Sequence, residues 1–127
     1  MNRGRFLSLF PALLFFAIIP CWAEDPPAKA ILVDRCVTCH SGDVRKGGLD
    51  LGSRESAMIG GDNGPAFVPG AVDQSLLIER VVEGAMPPGR PLSEEQVDAL
   101  REWIEAGAHY TDGPYRSRKA GNDWWSL

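Results

Sequence analysis

The chain has 127 residues, 44% of them hydrophobic, with 13 lysines and arginines against 17 aspartates and glutamates. The resulting formal charge of −4 argues against nucleic acid or an anionic membrane surface as a partner. The length allows one domain, marginal on its own hydrophobic core.

At the N-terminus, Arg3 and Arg5 precede an apolar run from Phe6 to Ile19 that only Ser8 and Pro11 interrupt. Cys21-Trp22-Ala23 then offers a small residue at a cleavage point. Residues 1–23 therefore read as an export signal, leaving a chain that starts near Glu24 and is more acidic still. The run is about fourteen residues, short of the roughly twenty that span a bilayer, which disfavours a retained membrane anchor. Lipidation at Cys21 is also disfavoured, because Pro20 stands where a small residue is required. The expected location is periplasmic or otherwise exported.

Asp25-Pro26-Pro27 reads as a helix start, with Asp25 as cap and proline in the first turn. Ala28, Ile31, Leu32 and Cys36 then recur at helical spacing. This helix leads into Cys36-Val37-Thr38-Cys39-His40, the attachment signature of c-type haem. Two thiols three positions apart can each form a thioether on one porphyrin edge. The next histidine, His40, can then bind iron as the proximal ligand. A neutral imidazole in that role donates its other N–H to a carbonyl or carboxylate. Pro65 is the candidate acceptor only because Gly64-Pro65 resembles the proline carbonyl that does this in small cytochromes c. Other readings of the two cysteines are a redox pair, half of a zinc site or a plain disulfide. The first lacks a βαβ pattern, the second lacks ligands once Cys21 is removed, and the third leaves His40 unexplained.

From Ser41 to Gly70 the chain is rich in glycine and turn formers, including Gly47-Gly48, Gly60-Gly61-Asp62-Asn63-Gly64-Pro65 and Pro69-Gly70. Neither nucleotide-binding signature is present, and a loop wrapped closely around a porphyrin is the expected role. Leu49 and Leu51 alternate with polar residues, which allows a short extended piece but not a sheet. Asp73 or Ser75 can cap a second helix with Ile78, Val81, Val82 and Ala85 as its core face, ended by Gly84. The last helix is the clearest: Ser93 and Gln96 make a capping box, and Val97, Leu100, Trp103 and Ile104 form one apolar face before Gly107. That face is expected to pack across the Ile31–Cys36 helix with Trp103 near the crossing. Asp112 to Leu127 reads as a solvated tail carrying Arg116, Arg118, Lys119 and the Trp124-Trp125 pair.

A haem held by one histidine is either open at its sixth position or closed by a second side chain. The candidates are Met58, Met86 and His109. Met86 stands in Gly84-Ala85-Met86-Pro87-Pro88-Gly89, where two prolines fix the backbone behind it, and it is assigned the distal role. Met58 follows Ser56-Ala57 in a short helical turn, where methionine is more often a gap filler. His109 lies just past the last helix and suits a surface position there.

Together these residues resemble a planctomycete-type cytochrome c domain. That family places Cys-x-x-Cys-His first, then Lys-Gly-Gly-Leu-x-Leu, then Gly-Gly-Asp-x-Gly-Pro-x-x-x-Pro-Gly, then Ser-Leu-Leu and Met-Pro-Pro before a final helix. The matches here are Cys36 to His40, Lys46 to Leu51, Gly60 to Gly70, Ser75-Leu76-Leu77, Met86-Pro87-Pro88, and Trp103-Ile104 followed by Gly107-Ala108. The resemblance covers about Ala28 to Asp112. It implies an all-α, small cytochrome c-like fold: three or more short helices and a long Gly-rich loop around one covalently attached haem c. His40 and Met86 are its implied iron ligands. Residues 24–112 form the expected domain, and 113–127 a tail or the junction to a following domain, as in longer exported relatives.

The function expected is electron transfer by an exported mono-haem module, which is not an enzyme, to a redox partner protein. Two alternatives compete with it. One is a ligand sensor or peroxidase-like module with an open sixth position; the other is a non-haem binding remnant. No Ser/His/Asp set is present, and Glu94, Glu95, Glu102 and Glu105 read as a solvated helix face.

Overall fold

The computed structural model describes residues 26–117, so the export signal, the Asp25 cap, Arg118, Lys119 and the Trp124-Trp125 pair lie outside the described residues. Helix α1 (Pro27–Ile31) begins on a proline, whose missing N–H is no loss in a first turn. It runs straight into a π-helical turn, Leu32–Cys36. The turn is closed by an i→i+5 hydrogen bond in which Val37 N–H donates to the Leu32 carbonyl at 2.9 Å. Residues five apart on an α-helix diverge by about 140°. The wider turn brings Val37 back towards Leu32, and both are fully buried. The predicted stripe holds: Ala28, Ile31 and Leu32 are buried, and Cys36 packs at the edge of the same cluster.

Two-residue strands follow, β1 (His40–Ser41) and β2 (Val44–Arg45), paired antiparallel with His40 opposite Arg45. An extended piece is expected at Leu49–Leu51 and no sheet; Leu49 is extended, at φ −91° and ψ 131°, but this strand pair corrects the all-α expectation. Gly42-Asp43 provides a two-residue hairpin turn with glycine first, so pairing happens one turn earlier. Helix α2 (Arg54–Ile59) starts at Ser53, whose Oγ accepts from Ser56 N–H at 3.1 Å. The Arg54 guanidinium then reaches the far end of the domain. Its Nη2 donates to the Gly107 carbonyl at 3.0 Å and its Nε to that of Ala108 at 3.2 Å.

Helix α3 (Leu76–Val82) follows a 3₁₀ turn at Val72–Gln74. Its expected core face is half correct. Ile78 and Val81 are buried together with Leu77, whereas Val82 is 56% exposed and Ala85 is exposed. Val82 is the last residue of the helix and turns to solvent, and Ala85 lies beyond its end, where helical spacing no longer describes where a side chain faces. Gly84, with φ 74°, follows the end as expected. Neither Asp73 nor Ser75 supplies a side-chain cap. Ser75 is buried instead, its Oγ donating to the Ala71 carbonyl at 2.8 Å and accepting from Val68 N–H at 3.1 Å.

Helix α4 (Glu94–Glu105) has the predicted capping box at Ser93 and Gln96 and buries Val97, Leu100, Trp103 and Ile104. Gly107 N–H donates to Ile104 and Ala108 N–H to Trp103, at 3.0 and 2.8 Å, which closes the helix in a Schellman motif around Gly107 at φ 106°. α4 packs on α1 and α3. The crossing thus falls on Pro27–Ile31, one turn before the segment expected. The Trp103 ring meets Phe67 edge-on at 5.2 Å and Tyr110 at 5.6 Å, and its Nε1 donates to the His109 carbonyl at 2.9 Å.

The solvated tail expected from Asp112 fails at Tyr115. That residue is 3% exposed, stacks on Tyr110 at 4.4 Å and donates its N–H to the Gly52 carbonyl at 2.6 Å. An isolated tyrosine has no periodic neighbours to reveal its burial. It is recruited by the aromatic cluster, not by a helix.

Trp103, at 6% exposed, is the centre of that cluster. Trp103→Ala is expected to cost ~3–5 kcal/mol of stability, and Ser93→Ala about 1 kcal/mol through the lost cap. Urea melts of the three proteins in one buffer check both values, and a Trp103→Ala loss below that of Ser93→Ala contradicts the core assignment.

Candidate functional site

The segment Cys36 to His40 is held from several sides. Cys36 ends the π turn, and Cys39 N–H donates back to its carbonyl at 3.2 Å. The backbone that follows is then pinned: Lys46 N–H donates to Cys39 at 3.1 Å and Leu51 N–H to His40 at 2.6 Å. Ser41 Oγ donates to the Val37 carbonyl at 2.6 Å. Held in this way, Cys36, Cys39 and His40 line a single cleft of about 250 Å³.

Met86 lines the same cleft. It follows α3, donates its N–H to the Arg80 carbonyl at 3.2 Å and is 39% exposed. Four residues singled out from sequence thus meet at one place, although 46 positions separate His40 from Met86 in the chain. Between them the walls are apolar, with Leu49, Leu51, Ala66, Leu77 and Val81. Arg35, Lys46, Asp62 and Arg80 are the charged members of the lining. Arg35 and Arg80 carried no signal in the sequence, because a lone arginine next to a motif looks like any surface cation.

The other sixth-ligand candidates are elsewhere. Met58 is 38% exposed on α2 and His109 is exposed beyond α4, and neither lines the cleft. Met58 is therefore not the gap filler expected; the small Ala57 takes the buried position on that turn.

Burial pushes the Cys36 thiol up to about 11, with the Cys39 thiol adding to the rise and the Arg35 guanidinium opposing it. Burial lowers the His40 imidazole, helped by the Lys46 charge and resisted by the Lys46 and Leu49 carbonyls. Those carbonyls do not satisfy the ring: the buried His40 Nδ1 has no hydrogen-bond partner. The Pro65 carbonyl is thus not its acceptor, contrary to expectation. Pro65 is exposed on the turn after Gly64, and its neighbour Ala66 supplies the cleft wall.

The glycine-rich stretch brings backbone close to backbone beside the cleft. Asp62 N–H donates to the Gly47 carbonyl at 2.9 Å, and Gly47, Gly61 and Gly64 all line the cleft. A Cβ on Gly61 would collide with the Gly47 carbonyl oxygen, and one on Gly60 with the Gly64 carbonyl and the Pro65 Cα. Both positions require glycine on contact grounds alone.

Residues 36–89 match the family model described as Planctomycete cytochrome C. The match takes in every cleft-lining residue except Arg35. This segment is similar to the planctomycete cytochrome c family. No curated protein and no solved structure matches the chain. The family implies a covalent haem c, and the donor chemistry of the cleft fits it. Two free thiols, an imidazole with an unspent ring nitrogen and a thioether face one apolar space. Among the described residues no three His, Cys, Asp or Glu side chains converge as a metal cage, which a zinc site requires. No helix among them is long and apolar enough to cross a membrane.

The glycine contacts can be checked by comparing two alanine variants of this domain. Gly60 and Gly64 both have positive φ, at 80° and 100°, but a Cβ on Gly64 meets nothing within 4 Å. Gly60→Ala is expected to lose at least ~2 kcal/mol more stability than Gly64→Ala, because it adds a backbone collision to the conformational cost. Equal losses in urea melts would remove the close-approach account.

Proposed function

We propose that this chain is an exported mono-haem cytochrome c that transfers electrons to and from a redox partner protein. The observation that carries the reading is the meeting of Cys36, Cys39, His40 and Met86 on one apolar cleft. Cys36 and Cys39 would hold haem covalently, with His40 as proximal and Met86 as distal ligand of the iron. Haem, when bound, supplies an iron that cycles between Fe(II) and Fe(III), and methionine ligation favours the reduced state.

The protein's own share is positional. The π turn and hairpin hold both sulfurs and the imidazole on one wall. Leu49, Leu51, Ala66, Leu77 and Val81 exclude water from the interior of the cleft. A filled coordination sphere and a preset backbone keep rearrangement small when charge changes, which suits electron transfer more than catalysis. Gly47, Gly61 and Gly64 allow backbone to approach the ring. The acidic composition makes a nucleic acid partner unfavourable, and export agrees with haem attachment after translocation.

The test is expression in a periplasm equipped for haem maturation, followed by mass and absorption spectra. The intact protein is expected to begin near Glu24 and to carry one haem mass that denaturation does not remove. Cys36→Ser and Cys39→Ser should each retain haem through a single bond and lose part of it under denaturing conditions. Met86→Ala should abolish the weak far-red band of ferric methionine ligation. A colourless product with two free thiols overturns the haem reading. A high-spin ferric wild type instead assigns the open-iron alternative.

A further inference from the structure

The two sides of the cleft come from distant parts of the chain, and one side-chain hydrogen bond joins them among the described residues. Arg35 Nη2 donates to the Arg90 carbonyl at 2.5 Å. Arg35 belongs to the π turn, immediately before Cys36, is partly buried and lines the cleft. Arg90 closes the Met86-Pro87-Pro88-Gly89 lip on the opposite side. The lip has little else to fix it. Met86, Pro88, Gly89, Arg90 and Pro91 are exposed. Its other hydrogen bonds are short-range, from Met86 N–H to Arg80 and from Arg90 N–H to Pro87, both at 3.2 Å. Burial therefore does not set its position. A guanidinium is always charged, and its bond to a carbonyl is charge-assisted, stronger than a neutral pair.

We propose that Arg35 is a positioning residue that clamps the Met86 lip to the attachment helix and so sets how firmly the methionine sulfur holds the distal side of the iron. The inference rests on the reading of Met86 as a ligand and goes beyond it, because Arg35 acts through Met86 and lies outside the family match. Without the clamp the lip swings more freely, and an added ligand competes with the sulfur more successfully.

The test uses the haem-loaded protein in wild-type, R35Q, R35K, M86A and S53A forms, with two readouts: the ferric far-red methionine band and the equilibrium affinity for added imidazole. Losing a hydrogen bond from a charged donor should let R35Q bind imidazole about tenfold more tightly than wild type, with a weakened band. R35K keeps the charge but not the fork, and should gain at least about threefold. M86A should bind imidazole most tightly and lack the band. S53A, weakened at the cap of α2 away from the lip and the cleft lining, should retain the wild-type affinity. Wild-type values in R35Q overturn the clamp and leave Met86 as ligand; wild-type values in R35K do the same if R35Q fails to fold. An S53A shift as large as that of R35Q means general loosening and also overturns it. A wild type with no methionine band, binding imidazole no more weakly than M86A, overturns both the clamp and the ligand reading.

Discussion

The hydrogen bond from Val37 N–H to the Leu32 carbonyl decides what the rest of this domain can be. An ordinary α-helical turn at this point would rotate Val37 away from Leu32, leaving one large aliphatic group outside the core. The i→i+5 closure instead buries both, and Cys36 just before Val37 and Cys39 two residues after it are left to line the cleft. The attachment motif is therefore half core and half site. Its second residue anchors it while its sulfurs and imidazole remain available. π turns recur at functional positions in helices for this kind of reason: one extra residue re-aims everything after it.

Around that point the chain solves a size problem. Few residues are available to build a core, and a cleft is carved out of what core there is. The compensation is dense packing elsewhere. Phe67, Trp103, Tyr110 and Tyr115 form a continuous aromatic series with centroid distances between 4.4 and 5.6 Å. Tyr110 donates its hydroxyl to the Leu51 carbonyl at 2.9 Å, so this series braces the same strand of backbone that holds His40. Burial pushes the Tyr110 phenol well above its usual range, consistent with a hydroxyl that stays protonated as a structural donor.

Much of this was legible from the residues alone, and the pattern of what was not has physical causes. The capping box at Ser93 and Gln96, the α4 face and the Gly107 terminus depend on local geometry, and local geometry is written in spacing. The four cleft residues were recognisable because their chemistry is specific to one cofactor. Ala85 was misplaced because the helix stops before the stripe does, and Val82 because the buried face of that helix ends at Val81. Tyr115 and Phe67 were missed because an aromatic residue in a loop announces neither its partner nor its depth. Pro65 failed as acceptor because a carbonyl's direction depends on turns that composition does not specify. Arg35 needed the fold, since its partner is a backbone carbonyl 55 positions away.

The exposed lip that carries Met86 has a kinetic consequence. The wall bearing His40 is tied into a hairpin, a π turn and the aromatic series, so exposing it requires breaking much of the domain. The lip, with exposed residues and few bonds, belongs to a different cooperative unit and opens at far lower free energy. Amide exchange on residues 84–90 should therefore run ahead of global unfolding, while that of Val37 and Leu51 tracks it. The two walls of one cleft would then live on separate clocks, the His40 wall opening only with the whole domain and the Met86 wall opening by itself.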